Sequence, residues 1–143
     1  MIEIEICRSE PEIRACFPVM RELRAAFDEG QLVDVVQRLS SAHGYLLVAL
    51  RDEGVVHGVI GLRCGESLAW GRYVYVDDLV TSEQSRSRGY GKLLLDWAAE
   101  YGKRKGCTEL HLDSGVQRFG AHRFYLRERM DIVFHHFRRT IAP

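Results

Sequence analysis

The chain opens on a strict alternation, with Ile2, Ile4 and Ile6 apolar and Glu3 and Glu5 acidic, the period of a half-buried strand running from Ile2 to Arg8. Ser9-x-x-Glu12 is a capping-box pattern with Pro11 in the first turn, so a helix starts there. Pro18 is expected to kink or restart it, and apolar residues continue through Met20, Leu23 and Phe27. Leu32, Val35, Val36 and Leu39 recur at helical spacing and predict a second helix, which Gly44 ends. Tyr45 to Leu50 is a β run, Arg51-Asp52-Glu53-Gly54 a turn, and Val55 to Leu62 the returning strand of a hairpin. Cys64-Gly65-Glu66-Ser67 reads as the next turn, and Leu68 to Val80 as a long third strand of the meander. Tyr90, Leu93, Leu94, Trp97, Ala98 and Tyr101 then form one apolar helix face, with Lys103, Arg104 and Lys105 at its negative end and Gly106 as its cap. Glu109 to Asp113 reads as a strand, Gly120 to Glu128 as a short helix and Ile132 to Ile141 as a final strand.

The predicted order is β-α-α-β-β-β-α-β-α-β, an α/β fold with a central mixed β-sheet flanked by helices. The strand–helix–strand unit at 73–113 favours one parallel pair. No repeat, linker or low-complexity tract divides residues 1–143, which are read as one domain.

Composition narrows the class of protein. A chain of 143 residues can bury a real core, and 46% hydrophobic with 28% charged residues is ordinary for a globular protein. Formal net charge is zero, which argues against a general nucleic-acid binder. No apolar run approaches the about 20 residues of a membrane span. The cysteines (Cys7, Cys16, Cys64, Cys107) form no CxxC pair, so they read as reduced thiols of a cytoplasmic protein. His135 and His136 are adjacent and would face opposite sides of a strand, so no metal site is expected.

The densest chemical signal is Arg86-Ser87-Arg88-Gly89-Tyr90-Gly91-Lys92, placed between the extended run and the amphipathic helix. Glycines two apart permit a tight turn. The backbone N–H groups at the helix start, with the positive end of the dipole, make an anion site. Arg86, Arg88 and Lys92 add full charges beside it. The spacing excludes a P-loop, which needs Gly-Lys-Ser/Thr, and no third glycine completes a dinucleotide fingerprint.

Arg86-x-x-Gly89-x-Gly91 resembles the acetyl-CoA signature of the GNAT superfamily of N-acetyltransferases, and the element order resembles the whole of that fold. The resemblance implies acetyl-CoA as cosubstrate. Its pantetheine arm would lie on the backbone of Leu79, Val80 and Thr81. Its pyrophosphate would sit on the N–H groups from Arg86 through Ser87, Arg88, Gly89, Tyr90 and Gly91 to Lys92. Polyamine-acetylating members resemble this stretch just before the loop, which makes Asp77 a candidate to bind or deprotonate a substrate ammonium and Asp78 a second substrate contact. Adjacent strand residues point to opposite faces, so only one of them faces substrate unless a bulge intervenes.

A second family motif resembles Ala121-x-x-x-Tyr125 and makes Tyr125 the candidate acid that protonates the leaving thiolate. The chain departs from that motif: Arg118 stands at the asparagine position, Arg129 at the glycine position and Met130 where phenylalanine is usual. The implied reaction is transfer of acetyl from acetyl-CoA to a primary amine of a small molecule, by direct attack in a ternary complex. A peptide or protein amine, or a non-catalytic acyl-CoA sensor, are the alternatives. A homodimer is the family-level expectation. The residues leave the acceptor and the general base open.

Overall fold

The computed structural model describes all residues from 1 to 143, which fall into two compact units, Met1–Leu112 and Asp113–Pro143. The first unit holds β1 (Ile2–Cys7), α1 (Glu10–Met20), α2 (Glu29–His43), β2 (Leu46–Asp52), β3 (Val55–Ser67), β4 (Gly71–Thr81), α3 (Tyr90–Arg104) and β5 (Glu109–Leu112). The five strands form one sheet in sequential order. Pairing is antiparallel from β1 to β4 and parallel between β4 and β5, as the single crossover helix requires.

The centre of the sheet is buried on both faces, which explains why β2 reads as the unbroken run Leu46-Leu47-Val48-Ala49-Leu50. Leu47 and Ala49 join α1 and α2 in one core through Ile13, Cys16, Val19, Met20, Leu32, Val33 and Val36. Val48 and Leu50 join α3 in the other through Tyr90, Leu94 and Ala98. Truncating fully buried Leu94 to alanine would cost about 2–5 kcal/mol by the usual cavity term.

Two single-residue irregularities shape the sheet. Between Leu50/Gly58 and Arg51/Val56 the register of β2 and β3 slips, leaving His57 as the extra residue. Between Gly61/Asp78 and Leu62/Val76 the register of β3 and β4 slips, leaving Asp77 as the extra residue. A bulge reverses the in/out alternation downstream of it. Val74 and Val76 accordingly face α3, whereas Val80 lies in the core beneath α1 and α2.

Several boundaries differ from the sequence expectation. Pro18 lies inside α1 without breaking it, two residues before the helix ends at Met20. The β3–β4 turn falls at 68–70, closed by the Trp70 N–H donating to Ser67 Oγ at 3.0 Å, and not at 64–67. Gly65 suggested a turn, but it sits in β3 because the Tyr73 ring occupies the space a side chain would need. On α3, Leu95 is buried and Leu93 is exposed; the close approach of Gly102 to Val74 fixes that rotation.

The second unit holds α4 (Phe119–Arg127). Its end is a Schellman motif, with Met130 N–H donating to the Tyr125 carbonyl and Arg129 N–H to that of Leu126, both at 3.1 Å. Arg129 takes the left-handed conformation (φ 65°) that glycine usually provides. The final strand expected over Ile132–Ile141 does not form: residues 131–143 carry no helix or strand. Alternating apolar residues make a strand only where a neighbouring edge accepts the ladder, and Ile132, Phe134, Phe137 and Ile141 are exposed.

Candidate active site

β4 leads into a short 3-10 turn at Glu83–Ser85, the exposed loop Arg86–Gly89 and then α3. Ser87 (φ 71°) and Gly89 (φ 79°) are both left-handed, so the loop doubles back before the helix begins. Helices α1 and α2 start with complete capping boxes, built on Ser9 with Glu12 and on Asp28 with Gln31. Helix α3 starts at Gly89, which has no side chain to offer its first-turn donors. The N–H groups of Tyr90, Gly91 and Lys92 precede the first intrahelical bond, Leu93 N–H to Gly89 O at 3.2 Å. A backbone concavity of this kind suits a phosphate, with exposed Arg86 and Arg88 beside it. Lys92 Nζ bonds Asp96 at 2.9 Å, one turn along the helix.

The loop is anchored at both ends to the β2–β3 hairpin. At its start, buried Ser85 places Oγ 2.6 Å from His57 Nδ1, and Ser82 N–H donates to the His57 carbonyl at 2.7 Å. At its end, Tyr90 packs its ring at a tilt against His57, 5.4 Å between centroids, and donates its hydroxyl to Asp52 at 2.7 Å. That donation holds the Asp52 carboxyl below the ordinary range. Tyr90 therefore presents only backbone to the loop. The bulge at His57 is what aims its ring at Ser85, a role that sequence reading missed.

The parallel β4–β5 ladder runs from Tyr73 to Val76 and ends there, while β4 continues to Thr81. Leu79, Val80 and Thr81 pair with Ile60, Val59 and Gly58 of β3, and no strand pairs with their other edge. Val80 is core, and Leu79 packs against the cluster under α3.

At the bulge, Asp77 and Asp78 line one cavity of about 380 Å³ with Leu39, His43, Tyr45 and Arg63. The extra residue brings both carboxylates to the same place, which simple alternation forbids. Arg63 grips Asp77 with Nε and Nη2 at 2.7 and 2.9 Å. Asp78 accepts from Arg24 Nε at 2.8 Å and from the Tyr45 hydroxyl at 2.7 Å. Tyr45 reaches Asp78 by lying where a side chain on Gly61 would be. Burial first, and the Asp78 charge second, push the Tyr45 phenol well above its ordinary pKa, so it stays a donor. Arg24, Tyr45 and Arg63 escaped sequence reading; the only local hint was a charged residue following the apolar run Val59-Ile60-Gly61-Leu62.

In the second unit, Tyr125 is partly buried on α4. Burial raises its pKa, and the Arg118 guanidinium beside it pulls in the opposite direction. The arginine that replaces the motif's asparagine is thus a neighbour of the phenol. His136 Nδ1 lies 3.2 Å from Asp113 Oδ2, and His122 Nε2 lies 2.7 Å from the Gly115 carbonyl, so neither ring is an isolated base.

The model of the Acetyltransferase (GNAT) family matches residues 10–130. The chain belongs to this family and is an N-acetyltransferase. It is 34% identical over 125 residues to the uncharacterized N-acetyltransferase YhdJ of Bacillus subtilis, covering 87% of this chain and 88% of that protein. It is 35% identical over 82 residues to an aminoalkylphosphonate N-acetyltransferase of Salmonella typhimurium, covering 57% and 53% of the two chains. The fold matches aminoglycoside N-acetyltransferase AAC(6')-Iy, solved in complex with CoA, with a TM-score of 0.82 at 14% identity over 99% and 96% of the chains. No helix is long and apolar enough to cross a membrane.

Proposed function

We propose that this enzyme transfers the acetyl group of acetyl-CoA to a primary amine of a small molecule, by direct attack in a ternary complex. The carrying observation is that β4 alone joins the two half-sites: a bulge with paired carboxylates in a cavity, and an edge leading into an uncapped, arginine-flanked helix start. The family model spans both compact units, and we read residues 1–143 as one acetyltransferase domain. The small-molecule reading draws support from the relative that is an aminoalkylphosphonate N-acetyltransferase.

Acetyl-CoA supplies the acyl group as an activated thioester. The backbone of Arg86–Lys92 would hold the pyrophosphate, and the open edge of Leu79–Thr81 the pantetheine arm. Asp77 and Asp78 would orient the acceptor ammonium, and Asp77 would help remove its proton. The freed nitrogen attacks the acetyl carbon, the carbon–sulfur bond breaks, Tyr125 would give a proton to sulfur, and the second proton shed by the nitrogen as the amide forms would restore the phenol. A phenol whose pKa is raised by burial is fully protonated at neutral pH and able to do so.

Calorimetric titration with acetyl-CoA, CoA and ATP tests the reading, with Gly89→Glu as control. Binding of both CoA species but not ATP, lost in the variant, followed by amine-dependent thiol release, is expected. CoA binding without release across an amine panel would replace this reading with an acyl-CoA sensor. No CoA binding would remove the assignment of the loop.

A further inference from the structure

The charges in the β4 cavity already answer one another. Arg63 occupies one lone pair on each oxygen of Asp77, and Arg24 with Tyr45 occupies Asp78. Two carboxylates and two guanidiniums cancel. An acceptor bearing only an ammonium can reach the remaining carboxylate lone pairs, but it brings a third positive charge beside the two guanidiniums with no anion to answer it. In a partly closed site that uncompensated like charge is unfavourable.

An acceptor with an ammonium at one end and an anion at the other avoids the difficulty. Its ammonium takes a place on the carboxylates while its anion takes the guanidinium. Every charge remains answered and the sum is unchanged. Arg63 is the decisive group. The fork it presents to Asp77 is the geometry that reads a carboxylate or a phosphonate through two parallel hydrogen bonds. At 42% side-chain exposure it can swing from one anion to another without unfolding the sheet. His43, at the end of α2, adds a further polar group to the same wall.

Building on the acetyltransferase reading, we infer that the acceptor is a short zwitterionic amine, carrying a carboxylate or phosphonate beside its primary ammonium, and neither a simple monoamine nor a polyamine. The polyamine resemblance around Asp77 does not extend to this pocket chemistry, because Arg63 and Arg24 neutralise the carboxylates a polycation would need.

The test uses acceptors matched in the spacing from nitrogen to the terminal group: β-alanine, 2-aminoethylphosphonate, 3-aminopropanamide, propylamine and 1,3-diaminopropane. Thiol release at saturating acetyl-CoA gives kcat/KM, and calorimetry against the CoA-saturated protein gives affinity independently of turnover. The anionic amines should exceed the neutral amide by at least about tenfold, with the diamine poorest. The carboxylate and phosphonate arms tell the two anions apart. R63Q should reverse the order toward the diamine, because it releases Asp77. R24Q, at a more exposed arginine, should narrow the gap in the same direction.

A diamine or monoamine that equals the anionic amines, or a preference that survives both substitutions, overturns the inference and leaves acetyl transfer standing. A calorimetric preference for anionic amines without thiol release supports the inference and removes the transfer reading instead.

Discussion

Helices α2 and α3 have the same length, 15 residues each, and begin in opposite ways. At α2, Asp28 accepts from Gln31 N–H at 2.8 Å while Gln31 bonds back to Asp28 N–H at 2.9 Å, so the chain satisfies its own helix end. At α3 the same position is a left-handed glycine, and stability is recovered one residue later through the Tyr90 side chain on Asp52 and His57. The first helix start is finished by folding. The second is fastened from beneath and keeps its donors facing outward. The difference separates a structural helix end from one available to a ligand.

The largest expected effect comes from closing the open end. Gly89→Glu puts a carboxylate beside the donors in a backbone conformation that side chains rarely adopt, and should weaken acetyl-CoA binding about 100-fold, roughly 2.8 kcal/mol, by calorimetry. Asp28→Ala is the converse. It should cost about 1 kcal/mol in urea unfolding and leave acetyl-CoA affinity unchanged. Unequal loss of affinity there would mean the two helix ends are not separable.

Arg88→Gln should weaken acetyl-CoA by about 0.5–1 kcal/mol at low salt, with the deficit shrinking as salt rises. The smallest effect concerns the fastening. The folded pKa of Asp52 lies below the ordinary 3.8, so its contribution to stability is present above that value and is lost as pH falls through the folded pKa. Tyr90→Phe should flatten that acid limb. A limb identical to the wild type in acid unfolding would show that the hydroxyl does not hold α3.

Features written in neighbouring residues were legible in the sequence. Ser9 with Glu12, the Glu53-Gly54 turn, Gly44 and Gly106 as helix ends, and the loop Arg86–Lys92 all act within a few residues of themselves. Arg63 with Asp77, Arg24 with Asp78 and Tyr45 with Asp78 were not. Those partners lie 14, 54 and 33 positions apart and meet only in the folded chain, Arg63 through strand register, Arg24 from the connection between α1 and α2 and Tyr45 from just before β2. The bulge that unites the carboxylates has no local signature, since one unpaired residue is defined by the strand opposite. The final strand failed for the same reason in reverse: its alternation is local, but a strand also needs an edge.

The bulge at Asp77 has a practical consequence for anyone recombining this enzyme with its relatives. Because it moves the even-numbered positions of β4 from the face of α3 (Val74, Val76) to that of α1 and α2 (Val80), the interval from Val76 to Val80 behaves like a reading frame. Substitutions at Asp77 and Asp78 can retune the cavity while Leu79 and Val80 keep their faces. An insertion or deletion of a single residue there exchanges the faces of Leu79 and Val80 and shifts the origin of the loop beyond them. Chimeras that trade acceptor pockets should therefore preserve the residue count of that interval and vary only its chemistry.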